Sequence, residues 1–337
     1  MKQLPKQNNE NPSGSALYPL KFNPVYKTRI WGGHHLRQFG KRSGALPNIG
    51  ESWELSDVKG DESVVKNGFL AGKSLPELIE KYKDELVGQK VYTRFGTTFP
   101  LLVKLIDAND DLSIQVHPND ALAAERHNSF GKTEMWYVLD AEKGASLISG
   151  FVPNVDKNLY LSHLKNGTLA QIMTKFPVEK GDVFFIPAGR VHAIGKGCVV
   201  AEIQQTSDVT YRLFDFNRVD GKGNPRELHT GLALDALDFT YVKDAKTHPA
   251  ITMNLPVELA SCNYFTTNVL RIDKPVERNY RSYDSFTIYL CTEGSFYVDC
   301  EGETECVEKG ETLLLPAALN SVKLIPSPKA ELLEIYV

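Results

Sequence analysis

The chain consists largely of short apolar runs that end in glycine, proline, asparagine or aspartate, above all between residues 100 and 216. Leu112–Val116, Met135–Leu139 and Val183–Ile186 are three such runs. Runs of this length, bounded by turn residues, are typical of strands rather than helices. The alternation of apolar and polar residues returns over residues 251–337. The pattern predicts a mainly β protein whose antiparallel strands form sandwiches or barrels.

A few helices are expected within this β pattern. One begins at Ser74, an N-cap residue followed by a proline and an acidic residue in the first turn. A second covers Asn119–Arg126, with capping residues at its start, and a third lies within Asp156–Leu169, which has leucines at its apolar positions.

Polar side chains that could bind a metal lie on or beside the apolar runs. Gln115 and His117 are two residues apart in a predicted strand, so their side chains share one face. Glu134 begins the next run, and His192 follows the turn after Val183–Ile186. Imidazole, carboxylate and amide groups are ligands of catalytic zinc or of another borderline divalent metal. The absence of any CxxC pair excludes a structural zinc finger of that type.

The chain resembles the class I mannose-6-phosphate isomerases, zinc enzymes of the cupin superfamily. The resemblance extends from about residue 17 to the end, and the chain is most similar to the short bacterial form, which lacks a large helical insertion between the glutamate and the second histidine. The matching blocks are Ile30–Gly33, Glu51–Glu54, Gln115–Asp120, Gly131–Tyr137, Gly181–Ile194, Ala201–Gln205 and Tyr211–Asp215.

The resemblance implies both an activity and a set of site residues. It implies a zinc-assisted proton transfer between C1 and C2, through an enediol or enediolate, that interconverts mannose 6-phosphate and fructose 6-phosphate. One zinc ion per chain would be held by Gln115, His117, Glu134 and His192. Arg212 matches the active-site arginine of the family. The residues that match positions lining the substrate pocket are Ser113 and Lys132, with Arg212 beside them.

A sequence repeat predicts two barrels. Glu179–Ala188 is similar to Glu308–Ala317, and each segment predicts a turn, a buried strand and a proline stop. In the second copy, serines (Ser285 and Ser321) stand where Glu134 and His192 stand in the first. We therefore expect two cupin-like antiparallel β-barrels of the jelly-roll type. Residues 1–16 would be a disordered lead-in, residues 17–245 the metal-binding catalytic cupin domain with helical elements, and residues 246–337 a metal-free barrel.

The chemistry requires charge stabilisation and a general base. A metal ion can polarise sugar oxygens, and the Arg212 guanidinium can add fixed positive charge as an enediolate forms. The base could be a metal-bound water or Glu202, which shares a strand face with Gln204. Each side chain also has a purely structural interpretation. Glu202 could be a hydrogen-bonded structural carboxylate, Lys132 an exposed turn lysine, and Arg212 a surface arginine paired with Asp208 or Asp215.

Composition restricts the partners. The net charge of −4 gives no general attraction to nucleic acid or to anionic membranes, and no apolar run approaches the roughly 20 residues that span a bilayer. A phosphorylated small-molecule substrate would need a local positive pocket, which Lys132, Arg190 and Arg212 could supply. Five cysteines without a regular spacing are expected to be free thiols in a reducing cytoplasm. No feature of the sequence sets the oligomeric state.

Three other functions fit part of the pattern. A metal-dependent cupin could act on another sugar phosphate. Two histidines and one carboxylate also form the facial triad of non-haem iron oxygenases, although Gln115 would then fill a position that oxygen chemistry needs open. A non-catalytic sugar-binding or regulatory module is the third alternative, and an incomplete set of metal ligands would favour it.

Overall fold

The protein is described by a computed structural model that covers residues 17–41, 44, 46–219, 222–300 and 302–337. The predicted lead-in, residues 1–16, lies outside this part of the chain. In the described residues the structure is mainly β, as predicted. The strands are β1 (Leu20–Asn23), β2 (Val25–Gly33), β3 (Ile49–Leu55), β4 (Val64–Val65), β5 (Leu101–Ala108), β6 (Ile114–Val116), β7 (Glu134–Ala141), β8 (Ser146–Phe151), β9 (Met173–Pro177), β10 (Val183–Ile186), β11 (His192–Ile194), β12 (Cys198–Gln205), β13 (Tyr211–Phe214), β14 (Lys246–Thr247), β15 (Val257–Ser261), β16 (Thr266–Ile272), β17 (Val276–Asn279), β18 (Thr287–Cys300), β19 (Glu303–Glu308), β20 (Thr312–Leu315) and β21 (Ser321–Tyr336).

The helices are few and short. The three predicted segments are confirmed as helical, although the third ends earlier than its apolar pattern allowed. Asn119 caps the second by accepting a hydrogen bond from the backbone nitrogen of Leu122 at 3.0 Å. The α-helices of the described residues are α1 (Leu75–Tyr82), α2 (Asp84–Val87), α3 (Gln89–Phe95), α4 (Asp120–His127), α5 (Lys157–Lys165) and α6 (Thr230–Ala236), and 3-10 helices cover His35–Phe39 and Leu169–Ile172.

The strands form three sheets, which corrects the expectation of two barrels. One sheet has seven strands, in the order β14-β10-β7-β12-β5-β3-β2, and a second has five, in the order β13-β6-β11-β8-β9. The third has nine strands. Seven of them follow the order β15-β16-β21-β18-β20-β1-β4, while β17 pairs with β21 and β19 pairs with β18. In the described residues no backbone pairing joins the edges of the seven- and five-stranded sheets, so these two remain separate sheets instead of closing into a barrel.

The seven-stranded sheet is the middle layer, because each of its faces packs on a different sheet. Alternate side chains of β7 divide between the faces. Trp136 and Val138 pack with Leu147 and Ile194 of the five-stranded sheet. Side chains on the opposite face of this sheet pack with the nine-stranded sheet in the largest apolar cluster, which includes Met135, Leu105, Ala201, Ile288 and Leu333. The middle sheet is therefore buried on both sides, and polar residues within it need partners.

The sequence repeat corresponds to equivalent strands in two different sheets. Strand β10 lies in the middle sheet and β20 in the nine-stranded sheet. Each follows a turn whose glycine has a positive φ, 93° at Gly181 and 83° at Gly310. Strand β1 joins the nine-stranded sheet by pairing Leu20 with Leu314, so an early segment of the chain completes the later sheet. The domain boundary near residue 245 stays a prediction.

Two expectations about the chain as a whole can be compared with the structure. None of the five cysteines, all within the described residues, forms a disulfide bond. In the same part of the chain no helix has the length and apolar character needed to cross a membrane.

Candidate active site

The four predicted metal ligands converge between the seven- and five-stranded sheets. Gln115 and His192 lie opposite each other on β6 and β11 of the five-stranded sheet, and His117 directly follows β6. Glu134 is the first residue of β7 in the facing sheet. The ligand atoms of His117, Glu134 and His192 all lie within 4.8 Å of one another, and the three side chains are buried.

Each histidine has one ring nitrogen anchored by a backbone carbonyl. Nδ1 of His117 donates to the carbonyl of Val209 at 2.9 Å, and Nδ1 of His192 donates to that of Arg190 at 2.8 Å. A neutral imidazole that donates through Nδ1 presents the lone pair of Nε2, which is the arrangement of metal-binding histidines. Burial keeps both rings neutral, because it lowers the pKa of His117 well below its ordinary value and that of His192 to about 3.

Glu134 brings a buried carboxylate oxygen to the same point without a hydrogen-bond donor. Its Oε1 lies 3.4 Å from Nε2 of His192, and no described group donates to it. Its Oε2 lies 3.5 Å from Nε2 of His117. The Lys132 ammonium lies against both Oε2 of Glu134 and Nε2 of His117, whereas Oε1 has no donor, and buried polar atoms are nearly always paired. The arrangement therefore fits a cation between the carboxylate and the two rings.

Gln115 lies beside this point, with its amide nitrogen 3.3 Å from Nε2 of His192. A half-turn of the amide would exchange its nitrogen and oxygen, and would present Oε1 to a cation at the same place. Ser113 contacts the other side of this amide, with Oγ 3.4 Å from Oε1.

Lys132 is buried beside the ligands and is not an exposed turn lysine. Its Nζ donates to Oε2 of Glu134, lies 3.1 Å from Nε2 of His117, and lies 3.9 Å from Oε1 of Glu202. Burial opposes its charge, but the carboxylates of Glu134 and Glu202 outweigh burial and raise its pKa. Lys132 is therefore an ammonium group held among the predicted ligands.

Glu202 faces the site from β12, on the same strand face as Gln204. Its Oε1 accepts from Nζ of Lys104 at 2.9 Å, and its Oε2 accepts from the indole nitrogen of Trp136 at 2.9 Å. Burial alone would raise its pKa, but the charges of Lys104 and Lys132 lower it to about 2. The carboxylate is thus ionised and fixed in orientation, which is compatible with both interpretations of this residue.

A cavity of about 580 Å³ opens above these groups. All the predicted substrate and catalytic residues line it, together with one ligand and several groups that the sequence did not single out. The lining includes Ser113, Gln115, Lys132, Glu202, Arg212, Glu51, Lys104 and Arg226. Arg212 does not pair with Asp208 or Asp215, because its Nη1 donates to the carbonyl of Glu227 at 2.7 Å and it forms no ion pair with any described carboxylate.

Comparisons with known proteins agree with this geometry. A family model for the type I phosphomannose isomerase catalytic domain matches residues 19–149, and a model for the cupin domain of mannose-6-phosphate isomerase matches residues 257–336. The mannose-6-phosphate isomerase ManA of Bacillus subtilis is 36% identical over 91% of this chain and 95% of its own. The Streptococcus mutans mannose-6-phosphate isomerase is 37% identical over 90% and 94%.

The chain belongs to the type I phosphomannose isomerase family. A crystal structure of the mannose 6-phosphate isomerase from Bacillus subtilis superimposes with a TM-score of 0.83 and 32% identity, covering 95% of this chain and 99% of that one. The predictions of the family and of an enzyme of the aldose–ketose isomerase class are confirmed.

Some residues of the isomerase's pocket are not predicted by its sequence, and one predicted residue lies outside the pocket. Arg190 does not contribute to the positive pocket, because its Nη1 turns away to the carbonyl of Phe185, 3.3 Å distant, and the residue is not among those lining the cavity. Lys104 lines the cavity and was not predicted to do so, although a single lysine within the apolar run Leu101–Ala108 indicates a buried charge that needs a partner. Arg226, in the loop after β13, offered no comparable signal.

Proposed function

We propose that this protein interconverts mannose 6-phosphate and fructose 6-phosphate with one zinc ion per chain, held by Gln115, His117, Glu134 and His192. The observation that carries the proposal is the meeting of two Nε2 lone pairs with an unpaired carboxylate oxygen, next to Gln115 and Lys132, which line the cavity. Family membership supports the reaction, because the relatives named above are mannose-6-phosphate isomerases.

The donor set suits zinc. Two neutral imidazoles, one carboxylate and one amide oxygen form a borderline site for a divalent metal, and three or four protein ligands leave room for a substrate oxygen. The carbonyl partners on both histidines hold the rings in the orientation that binding requires. With the ligands engaged in this way, the ammonium of Lys132 would remain available to Glu202 and to the substrate.

The reaction moves one proton between C1 and C2 of the open-chain sugar. Bound zinc would supply Lewis-acid polarisation of the sugar oxygens. We assign Glu202 as the general base, because it lines the cavity and Lys104 and Trp136 orient its carboxylate. Its pKa of about 2 in this state makes it a weak base, so the role requires its contacts with Lys104 and Lys132 to loosen when substrate binds. Arg212 and Lys132 present positive charge to the cavity, where they would stabilise an enediolate. Ser113 would orient a hydroxyl of the substrate.

The alternative functions have less support. A facial-triad oxygenase needs open coordination positions, and Gln115 lies where it would occupy one. A non-catalytic module does not account for the ionised base and the arginine in one cavity. If the metal-loaded protein does not turn over mannose 6-phosphate, another sugar phosphate becomes the candidate substrate.

The fold and location are part of the proposal. We interpret the seven- and five-stranded sheets as one cupin unit and the nine-stranded sheet as a second, metal-free unit. The free thiols suit a reducing compartment such as the cytoplasm.

A coupled assay with mannose 6-phosphate tests the function. We expect activity that is lost after chelation, returns with added zinc, and is absent from His117→Ala. His163→Ala, which removes a histidine on α5 outside the site, is the matched control and should keep both activity and metal. Metal-loaded protein without turnover would refute the substrate, whereas turnover that survives complete metal removal would refute the metal site.

A further inference from the structure

The cavity has a second group of cations in addition to those beside the metal ligands. Arg212 and Arg226 both line it, and neither is a predicted metal ligand. Arg226 lies in the loop that follows β13, at the end of a sequence stretch that begins with Asp215. The inference drawn from these residues rests on the proposed function and extends it to the recognition of the substrate's phosphate group.

Asp215 fixes the position of Arg226. Nε of Arg226 donates to Oδ2 of Asp215 at 2.6 Å, and Nη2 donates to Oδ1. The same carboxylate accepts from Nη2 of Arg218 at 2.6 Å and is itself buried. These two bonds use two of the five N–H donors of the Arg226 guanidinium. A bidentate contact of this kind presents the rest of the group in a fixed orientation.

Arg212 adds a cation that no described carboxylate neutralises. Its Nε is buried and has no hydrogen-bond partner among the described residues. Burial lowers the pKa of Arg212, and the charge of Arg226 lowers it further, so the two guanidinium groups act on each other. Arg212 and Arg226 thus place two positive charges beside one carboxylate, Asp215, which Arg218 also binds, and such an excess of positive charge favours an anion.

Cations elsewhere around the cavity are already paired. Nζ of Lys27 binds the carboxylate of Asp61, and Nε of Arg29 donates to Glu51 at 2.9 Å. Lys104 binds Glu202. Asp208 also lines the cavity, but it is exposed and forms no ion pair with the described arginines. Arg212 has no ion pair with a described carboxylate, and Arg226 has three N–H donors beyond its two bonds to Asp215, so these two are the cations best placed to accept a new anion.

We propose that Arg226, held in place by Asp215, binds the substrate's phosphate group and so makes the enzyme selective for 6-phosphorylated sugars, while Arg212 stabilises the enediolate at the reacting carbons. Arg226 is a substrate-binding residue in this assignment, and Asp215 is a positioning residue. A phosphate dianion matches the fork geometry of a guanidinium, and the reacting carbons of the same substrate would reach Lys132 and Glu202 in the same cavity.

The first test compares zinc-loaded wild-type enzyme with Arg226→Ala and Arg226→Lys. We expect Arg226→Ala to raise KM for mannose 6-phosphate by about 10- to 100-fold, the size of a lost charge-assisted contact, with a smaller change in kcat. Arg226→Lys keeps the positive charge but cannot form two parallel hydrogen bonds, so its KM should lie between those of the wild type and Arg226→Ala. Asp215→Asn should raise KM with little change in kcat or in metal content. An unchanged KM in Arg226→Ala would overturn the proposal, as would an equal fall in kcat with loss of zinc.

A binding measurement separates this proposal from the proposed function. Calorimetry with inorganic phosphate needs no turnover, and Arg226→Ala should weaken phosphate binding by about tenfold or more. Arg218→Ala, which removes a cation from the same carboxylate but not from the cavity wall, is the matched control and should change binding by less than about threefold. Equal losses of phosphate affinity in Arg226→Ala and Arg218→Ala would mean that only the overall positive charge matters, and would refute the assignment of Arg226 as the phosphate-binding residue. Wild-type protein that binds phosphate through Arg226 without isomerising mannose 6-phosphate would refute only the function.

Discussion

Two buried glutamates, one in each half of the molecule, have opposite surroundings. In the nine-stranded sheet both oxygens of Glu334 are satisfied by Arg278, and Tyr280 and Asn268 add further hydrogen bonds. In the middle sheet Oε1 of Glu134 has no donor among the described residues, although the side chain is equally buried. The first arrangement is complete, whereas in the second Lys132 binds Oε2 only and Oε1 stays free for the proposed metal ion.

The difference separates stability from function. A buried carboxylate with a full set of donors holds strands together, whereas one with a vacant lone pair lowers stability until a ligand binds. The repeated halves of this chain have thus used similar strands for different purposes. Strand pairing corrects one part of the predicted correspondence: Thr287, not Ser285, stands at the position of Glu134, because Thr287 pairs with Leu315 as Glu134 pairs with Ile186. Neither Thr287 nor Ser321, at the position of His192, offers the carboxylate or imidazole of the first half.

The largest expected effect comes from removing the charge of Glu134. Glu134→Gln should lower kcat/KM by about 1000-fold, or ~4 kcal/mol, because a metal ligand is lost and with it the stabilisation of charge on the substrate. Steady-state assays and metal analysis of the purified protein measure both changes. Glu125→Gln, an exposed glutamate on α4, is the matched control. Full activity with a normal zinc content in Glu134→Gln would show that Glu134 is not needed for metal binding, and the functional contrast with Glu334 would then be wrong.

The second-largest expected effect comes from replacing Glu334, which should lower the stability of the fold without changing catalysis. Glu334→Gln leaves the Arg278 guanidinium without its carboxylate in a buried site, and we expect the free energy of unfolding to fall by about 3 kcal/mol. Urea denaturation gives this value, and kcat/KM of the folded variant should remain within about twofold of the wild type. A large loss of kcat/KM in fully folded protein would show that the second half takes part in catalysis.

Acid should destabilise the metal-binding half first. The folded pKa of His192 is about 3, against about 6.5 for an unfolded histidine, so folding favours the neutral ring. The corresponding stability is fully present above pH 6.5 and is lost as the pH falls from 6.5 towards 3. For the metal-free protein we expect a loss of about 2 kcal/mol between pH 6.5 and pH 5 from His192 and a further loss from His117, whose pKa is also lowered. Protonation of Glu134, whose pKa burial raises to about 7, offsets part of this loss.

Tryptophan fluorescence can localise that effect, because all three tryptophans precede residue 137 and residues 249–337 contain no histidine. Urea titrations of the metal-free protein should show the tryptophan transition moving to lower urea at pH 5. A transition unchanged between pH 7 and pH 5 would mean that the stability lost through these histidines does not exceed the stability gained through Glu134.

The smallest effect tests the contact between the two halves. The Tyr137 hydroxyl donates to Oε1 of Glu331 at 2.9 Å and links β7 to the nine-stranded sheet. Thr292 and Arg271 also bind Glu331, so Tyr137→Phe should reduce the free energy of unfolding by only about 1 kcal/mol. Thermal unfolding and kcat/KM, which should stay within about twofold, check this. A loss of zinc affinity in Tyr137→Phe would instead show that the second half positions the ligands.

The convergence of the four proposed ligands was easier to predict from the sequence than the residues around them. Gln115 and His117 could be placed together because strand alternation acts over two residues, and the family motifs then supplied Glu134 and His192. Lys104 meets Glu202 through the pairing of β5 with β12, a register that no local pattern specifies. Arg226 reaches the cavity through its contact with Asp215, which depends on the path of a whole loop.

The fold, too, could be predicted from local sequence patterns only in part. Short apolar runs and turn residues predicted strands and helices correctly, and the repeat predicted the relation between β10 and β20. The number of sheets could not be obtained in this way, because it depends on which edges pair across long sequence separations.

The pairing of Leu20 with Leu314 also affects how the chain is made. Strand β1 leaves the ribosome long before its partner β20 exists, so the nine-stranded sheet cannot be completed while translation is in progress. Contacts of such high sequence separation slow folding and leave apolar strands exposed in the meantime. The nascent chain would therefore depend on chaperones for longer than a protein whose domains fold one after another, and its two halves would acquire their final stability together.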